Sequence, residues 1–336
     1  MSQTGKMRFA IIFIVALLGG GFFLLIRSRS TDLLKKSTHL TDKIGNQPYY
    51  WLTNEELLYL TPNQLAGTYT LHRLKITSGT EAEQGNLTSG NFRISPDGQW
   101  ALTITPSNAG SLFSLERTDG KRQFRFFTHL NNEDINTNVA WTTDDKAIIA
   151  LTFLDTGGLL TTFPLDKPAV LPSMPVALND NQILLGMTDA NRVLAIQNIS
   201  DKQLTRLHDS ITLYDFPLKQ GDDFHKIGVS RPEGRDSEVD DVVLNPSGSR
   251  LAWRFTAHHT PFLYSFLKSL YNVFGIHDNT TVSLWTSKTD GSEMHELGSV
   301  NLKSPVPQPQ LLHWTPDGRN LSFQYDEKLY SIPATN

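Results

Sequence analysis

Three adjacent acidic pairs, Asp144-Asp145, Asp222-Asp223 and Asp240-Asp241, and the imidazoles His258, His259 and His277 are the groups in this chain best suited to move protons or hold a metal. General acid–base work needs carboxylates or imidazoles that converge in space. Adjacency works against convergence, because neighbours on a strand point to opposite faces and neighbours on a turn are solvated. The histidines follow neither H-x-x-x-H nor HExxH spacing, so a zinc site is not expected from them. Cysteine is absent, which removes thiolate nucleophiles, thiolate metal sites and disulfides. No G-x-S-x-G nucleophile elbow occurs. Ser95-Pro96-Asp97-Gly98 approaches the sialidase turn S-x-D-x-G-x-x-W, but its glycine follows the aspartate directly, so Asp97 and Asp317 read as turn formers. The expectation is therefore no catalytic residue, no cofactor and no metal.

The rest of the 336 residues must supply the scaffold. A hydrophobic share of 39% is enough for a sizeable core. A net charge of -4, from 30 basic and 34 acidic residues, gives no attraction to nucleic acid, and none is expected as a partner. Residues 9–26, "FAIIFIVALLGGGFFLLI", form an uncharged apolar run of a length that spans a bilayer as a helix. The expected division is a tail at 1–8, a transmembrane anchor at 9–26, a basic stalk at 27–36 and one domain over 37–336. Lys6 and Arg8 precede the span while Arg27, Arg29, Lys35 and Lys36 follow it, which by charge alone favours a cytoplasmic domain.

The chain repeats itself. "NFRISPDGQWALTI", "VVLNPSGSRLAWRF" and "LLHWTPDGRNLSFQY" each place a turn between two alternating apolar stretches. Proline presets φ, and glycine takes the left-handed conformation that the reversal needs. Weaker copies begin at Tyr49, Val139 and Val176, aligning Leu52, Ser95, Thr142, Asn179, Asn245 and Thr315 at the turn. A second hairpin follows each turn, and five copies then enter a fourth short strand. The final copy runs out of residues, and those near 37–44 are placed to complete it. Six units of four strands predict an all-β fold: a six-bladed β-propeller closed by an N-terminal strand.

The rhythm of Ser95-Pro96-Asp97-Gly98, of Asn245-Pro246-Ser247-Gly248 with Leu251-Ala252-Trp253, and of Thr315-Pro316-Asp317-Gly318 with Leu321-Ser322-Phe323 resembles the WD40-like repeats of TolB-type propellers. The resemblance implies a bacterial, often extracytoplasmic propeller whose task is protein interaction. It outweighs the charge asymmetry and leads to the expectation of a membrane-anchored chain with its propeller outside the cytoplasm.

Two insertions interrupt the repeats. Residues 219–241 carry seven acidic residues and read as a solvated loop or a polar lip on one mouth of the ring. Residues 256–279 contain "PFLYSFLKSLYNVFGI", predicted as a helix in the fifth blade that starts at Pro261. Leu263, Phe266, Leu267, Leu270, Tyr271 and Phe274 form its apolar face, with Phe262 beside them. That face can cover the end of the ring, dock a protein or cell-envelope partner, or lie at a bilayer surface. The leading functional expectation is a non-catalytic interaction or scaffold module that docks its partner there. A hydrolase or lyase acting on carbohydrate or peptide in the central channel is the alternative, and small-ligand sensing in the funnel is a third.

Overall fold

A computed structural model describes residues 32–63, 68–87, 92–95, 97–107, 110–118, 123–128, 138–142, 146–154, 157–165, 174–176, 182–189, 192–197, 209–215, 224–229, 237–259, 279–302 and 309–334. It is a β-propeller of six four-stranded antiparallel sheets. The first sheet holds β2 (Tyr49–Thr53), β3 (Glu56–Asn63), β4 (Thr68–Lys75) and β5 (Thr80–Leu87). The second holds β6 (Phe92–Ile94), β7 (Trp100–Ser107), β8 (Gly110–Arg117) and β9 (Gln123–Thr128). The third holds β10 (Asn138–Trp141), β11 (Ala147–Leu154), β12 (Gly157–Pro164) and β13 (Met174–Val176). The fourth holds β14 (Gln182–Met187), β15 (Arg192–Gln197), β16 (Asp209–Asp215) and β17 (Phe224–Val229). The fifth holds β18 (Ser237–Leu244), β19 (Arg250–His259), β20 (Asn279–Lys288) and β21 (His295–Leu302). The sixth combines β22 (Gln310–Trp314), β23 (Asn320–Tyr325) and β24 (Lys328–Pro333) with β1 (Thr38–Thr41), which pairs antiparallel with β24.

The repeated turn explains how each sheet begins. The side-chain oxygen of its first residue accepts the backbone N–H five residues on: Trp100 on Ser95 at 3.0 Å, Ala147 on Thr142 at 3.0 Å, Arg250 on Asn245 at 2.9 Å and Asn320 on Thr315 at 3.1 Å. Gly248, at φ 73°, closes its turn by donating to the Asn245 carbonyl at 2.9 Å. A Cβ there would lie 2.6 Å from backbone atoms of Met187, Thr188 and Asp189 in the preceding sheet. Gly98 likewise abuts Leu52 of the first sheet, and the Asp317 amide donates to Asn54 at 3.2 Å. The turns thus interlock from one sheet to the next.

Strand alternation puts one face of each sheet against the sheet before it and the other against the sheet after. In β23, Leu321 and Phe323 enter a cluster with Ala252, Val282 and Leu284 of the fifth sheet. Ser322 and Gln324, also fully buried, face the first sheet. Ser322 accepts from Trp51 Nε1 at 2.8 Å, and Gln324 donates to the Gln47 carbonyl at 2.6 Å. The segment ahead of β2 belongs to this seam. The helical turn α1 (Leu33–Lys36) buries Leu33 completely in the cluster between the fifth and sixth sheets.

Several expectations change. The membrane-anchored location is corrected: among the described residues no helix is long and apolar enough to cross a membrane, and the span read at 9–26 lies outside them. The basic stalk gives way, from Asp32 onward, to a docked segment, because Leu33 finds an apolar groove. The helix expected from Pro261 falls outside the described residues, among which α1 is the one helix. The second insertion begins later than residue 256, since β19 runs to His259. The first contains strands: it supplies β17, the outer strand of the fourth sheet, and most of β18. The fourth repeat turns at Thr188, not Asn179, and the first at Thr53, not Leu52.

Candidate functional site: the central channel

The first strand of every sheet, β2, β6, β10, β14, β18 and β22, contributes to the wall of one cavity of about 620 Å³ on the propeller axis. Each is the end strand of its sheet, so one backbone edge is left without a strand partner. β-bulges mark four of the six: a register shift falls at Leu52 in β2, Leu185 in β14, Asp240 in β18 and between Gln310 and His313 in β22. Leu311, in the last of these, stands at φ 52°, a left-handed conformation rare for leucine. Its carbonyl accepts from Tyr49 Oη at 2.9 Å, which holds the bulge. Such bulges re-aim side chains at rims and sites.

Two residues before each turn, the chain places one wall residue per sheet: Trp51, Arg93, Ala140, Gly186, Val243 and His313. The small members come from the third, fourth and fifth sheets, and the large ones from the sixth, first and second. The wall is therefore lopsided. Its polar side is a connected group. Arg93 Nη1 donates to Tyr50 Oη at 2.9 Å, and Tyr50 donates to the Phe92 carbonyl at 2.7 Å. The Tyr50 ring lies 4.9 Å from the His313 imidazole, and Tyr49 stands edge-on to it at 4.7 Å. Beside His313, on the fifth sheet, Asp240 lies 3.7 Å from Arg254 Nε and accepts a hydrogen bond from Thr256. Arg254 Nη1 donates to the Pro309 carbonyl at 2.6 Å.

Burial shapes the titration of this group. Desolvation pushes His313 down from 6.5 to about 3, with the Arg93 charge adding to it, so the imidazole is neutral at pH 7. Desolvation raises Asp241, against the opposing pull of Arg254 and of amides of Leu312 and Val242. Arg93 is held above its ordinary value first by Tyr50, with Asp241 contributing. Among the described residues no cluster of three or more His, Asp or Glu is poised to hold a metal.

Of the residues singled out from sequence, Asp240 and Asp241 reach the channel wall. His258 and His259 are the last two positions of β19. Asp97 and Asp317 accept backbone and hydroxyl hydrogen bonds within their own turns. Asp144-Asp145, Asp222-Asp223, His277, and Phe262, Leu263, Phe266, Leu267, Leu270, Tyr271 and Phe274 lie outside the described residues. Arg93, Tyr50 and His313 escaped notice. The signal that could have found Arg93 and His313 is their place two residues before a repeated turn.

The fold and channel define a β-propeller, and the solved structures it is similar to include TolB and WD40 propellers. The structure is similar to TolB from Acinetobacter baumannii, with TM-score 0.51 and 12% identity, over 84% of this chain and 64% of that one. It is similar to a putative TolB from Agrobacterium tumefaciens, with TM-score 0.50 and 14% identity, over 86% and 90%. The WD40 repeats of RRP9 align with TM-score 0.50 and 9% identity, over 90% and 98%. No protein-family model and no curated relative matches the sequence. At such identities the likeness carries the fold.

Proposed function

We propose that this chain is a non-catalytic propeller that serves as an interaction or scaffold module, presenting its ring face and the insertion after β19 to a protein or cell-envelope partner. One observation carries the reading: each charged group identified on the channel wall is already engaged. Arg93 is held by Tyr50, Asp240 by Thr256 and Arg254, and Asp241 by backbone amides, while His313 is neutral between two tyrosine rings. Engaged groups make a wall that holds and positions; catalysis needs a group free to meet substrate. The similarity to TolB and to WD40 repeats is consistent with this role. Phe262, Leu263, Phe266, Leu267, Leu270, Tyr271 and Phe274 are the proposed docking face. Replacing Phe266, Leu267 and Leu270 together with Ser should abolish partner recovery in a crosslinking pull-down while leaving the thermal melt in place. Unchanged recovery would remove that face from the proposal.

A second reading, a hydrolase or lyase working in the channel, is favoured by the opposite displacements of Asp241 and His313 within one cavity that also holds Arg93. Turnover of a carbohydrate or peptide substrate by the purified chain, lost in both Asp241→Asn and His313→Gln, would replace the binding reading.

A further inference from the structure

Arg93 brings a positive charge to the channel wall, where its side chain is exposed to the cavity. Tyr50 Oη accepts from its Nη1 at 2.9 Å, and no carboxylate of the described residues lies within ion-pairing distance of it. A guanidinium carries five N–H donors in a planar fork, so a neutral hydroxyl on one of them fixes its orientation and leaves its charge unmatched. His313 packs against the same tyrosine, with 4.9 Å between ring centroids, and its ring nitrogens have no hydrogen-bond partner among the described residues. An imidazole, neutral or charged, has an N–H to donate. The acids of the wall, Asp240 and Asp241, belong to the fifth sheet, three places round a ring of six from the second, and so stand across the axis from Arg93. Asp240 is already matched by Arg254 at 3.7 Å and by the Thr256 hydroxyl. One guanidinium suits one carboxylate, fork to fork, whereas the acids opposite work against a second negative charge. Ala140, Gly186 and Val243 leave room elsewhere on the wall, where Leu184, Leu185 and Met187 supply apolar surface. A cavity of about 620 Å³ is within the usual range for a small organic ligand.

We infer that the channel is a binding site for a small organic monocarboxylate, its anionic end held by Arg93 with His313 as a further donor and its apolar body against Leu184, Leu185 and Met187. A carboxylate entering the cavity exchanges water for a charge-assisted pair, and Arg93 gains the counter-ion that no neighbouring side chain supplies. The inference rests on the reading of the channel as a wall that holds and positions. It is independent of the docking face proposed after β19.

Titration calorimetry on the full chain tests it with octanoate and with octanamide, which has the same length and no charge. The acid should bind saturably at one site, at least about tenfold more tightly than the amide. Inorganic phosphate, which carries charge without an apolar body, should not displace it. Arg93→Gln should weaken the acid by about tenfold or more and leave the amide unchanged. Should that variant misfold by circular dichroism, Leu185→Glu, which sets an anion on the apolar side, should weaken the acid more than the amide. Equal affinity for acid and amide, or displacement by phosphate at matching concentration, would overturn the ligand class. Absence of saturable acid binding, or acid affinity unchanged in a folded variant, would overturn the site. The Phe266/Leu267/Leu270 triple variant should bind the acid normally, so failure of docking and failure of the channel site are read separately.

Discussion

His313 and Gly248 show how single residues tie the channel to the stability of the ring. The folded state keeps His313 neutral down to about pH 3, whereas an unfolded chain protonates it near 6.5. The stability that this neutral imidazole permits is fully present above about 6.5. It is lost as the pH falls toward about 3, with a slope approaching about 1.4 kcal/mol per unit. Asp241 acts with the opposite sign: its raised value makes its contribution full below 3.8 and lost as pH rises through its folded value. In urea unfolding between pH 7.5 and about 5, the midpoint of the wild-type chain should therefore lose more on acidification than that of His313→Gln. An equal slope in the variant would assign the acid sensitivity elsewhere. Gly248 makes a steric argument. Its φ of 73° and its approach to Thr188 leave no room for a methyl group. Gly248→Ala should lose about 1–3 kcal/mol from the backbone conformation alone, with the clash adding to it in the same urea measurement.

At the scale of elements, the docked N-terminal segment is the part most open to test. Leu33 is fully buried between two sheets, Lys36 Nζ donates to the Leu297 carbonyl at 3.2 Å, and a Cβ on Gly298 would come within 2.8 Å of Leu33 Cα. Leu33→Ala should cost about 2–5 kcal/mol, as expected for a cavity left by a large core side chain. Gly298→Ala should destabilise too, by about 1–3 kcal/mol, because the added methyl pushes α1 off β21 while removing no core atom. Chemical denaturation of both variants decides whether α1 is part of the cooperative fold. The elements differ in how legible they were. The turns at Ser95, Asn245 and Thr315 stood out because proline and glycine mark a reversal whatever surrounds it, and β1 followed from the unfilled place beside β24. The fourth sheet was misread because "QILLGM" is an apolar run that suits a first or a second strand equally, with no proline or glycine at Thr188 to fix the register. Most of β18 passed for a polar loop because its acids Asp240 and Asp241 line the channel, where an inner strand need not be apolar. The wall residues were hidden for a related reason: a position two before a turn acquires meaning only when the sheets are set around an axis.

At the scale of the whole molecule, the ring has no covalent closure, since the chain has no cysteine, and it is held at the meeting of its two ends by a buried polar seam. Ser322 accepts from Trp51 Nε1, contacts Tyr49 Oη at 2.9 Å and donates to the His313 carbonyl at 2.9 Å, so one hydroxyl binds the first sheet to the sixth. On the other face of the same strand, Leu321 and Phe323 share a cluster with Leu33 and the fifth sheet. β23 is therefore gripped from both sides, by hydrogen bonds toward the first sheet and by apolar packing toward the fifth. Ser322→Ala should lose about 1–3 kcal/mol by leaving the Trp51 N–H and Tyr49 without this partner in a buried setting. If the ring closes as one unit, loosening β23 on one face must weaken its hold on the other, and the two losses cannot be independent. The double variant of Leu33→Ala and Ser322→Ala should then depart from the sum of the single variants by about 0.5–3 kcal/mol in a urea double-mutant cycle. Losses that add to within about 0.5 kcal/mol would mean that the apolar clasp and the polar seam act separately, with the sixth sheet attached to each neighbour by its own local contacts.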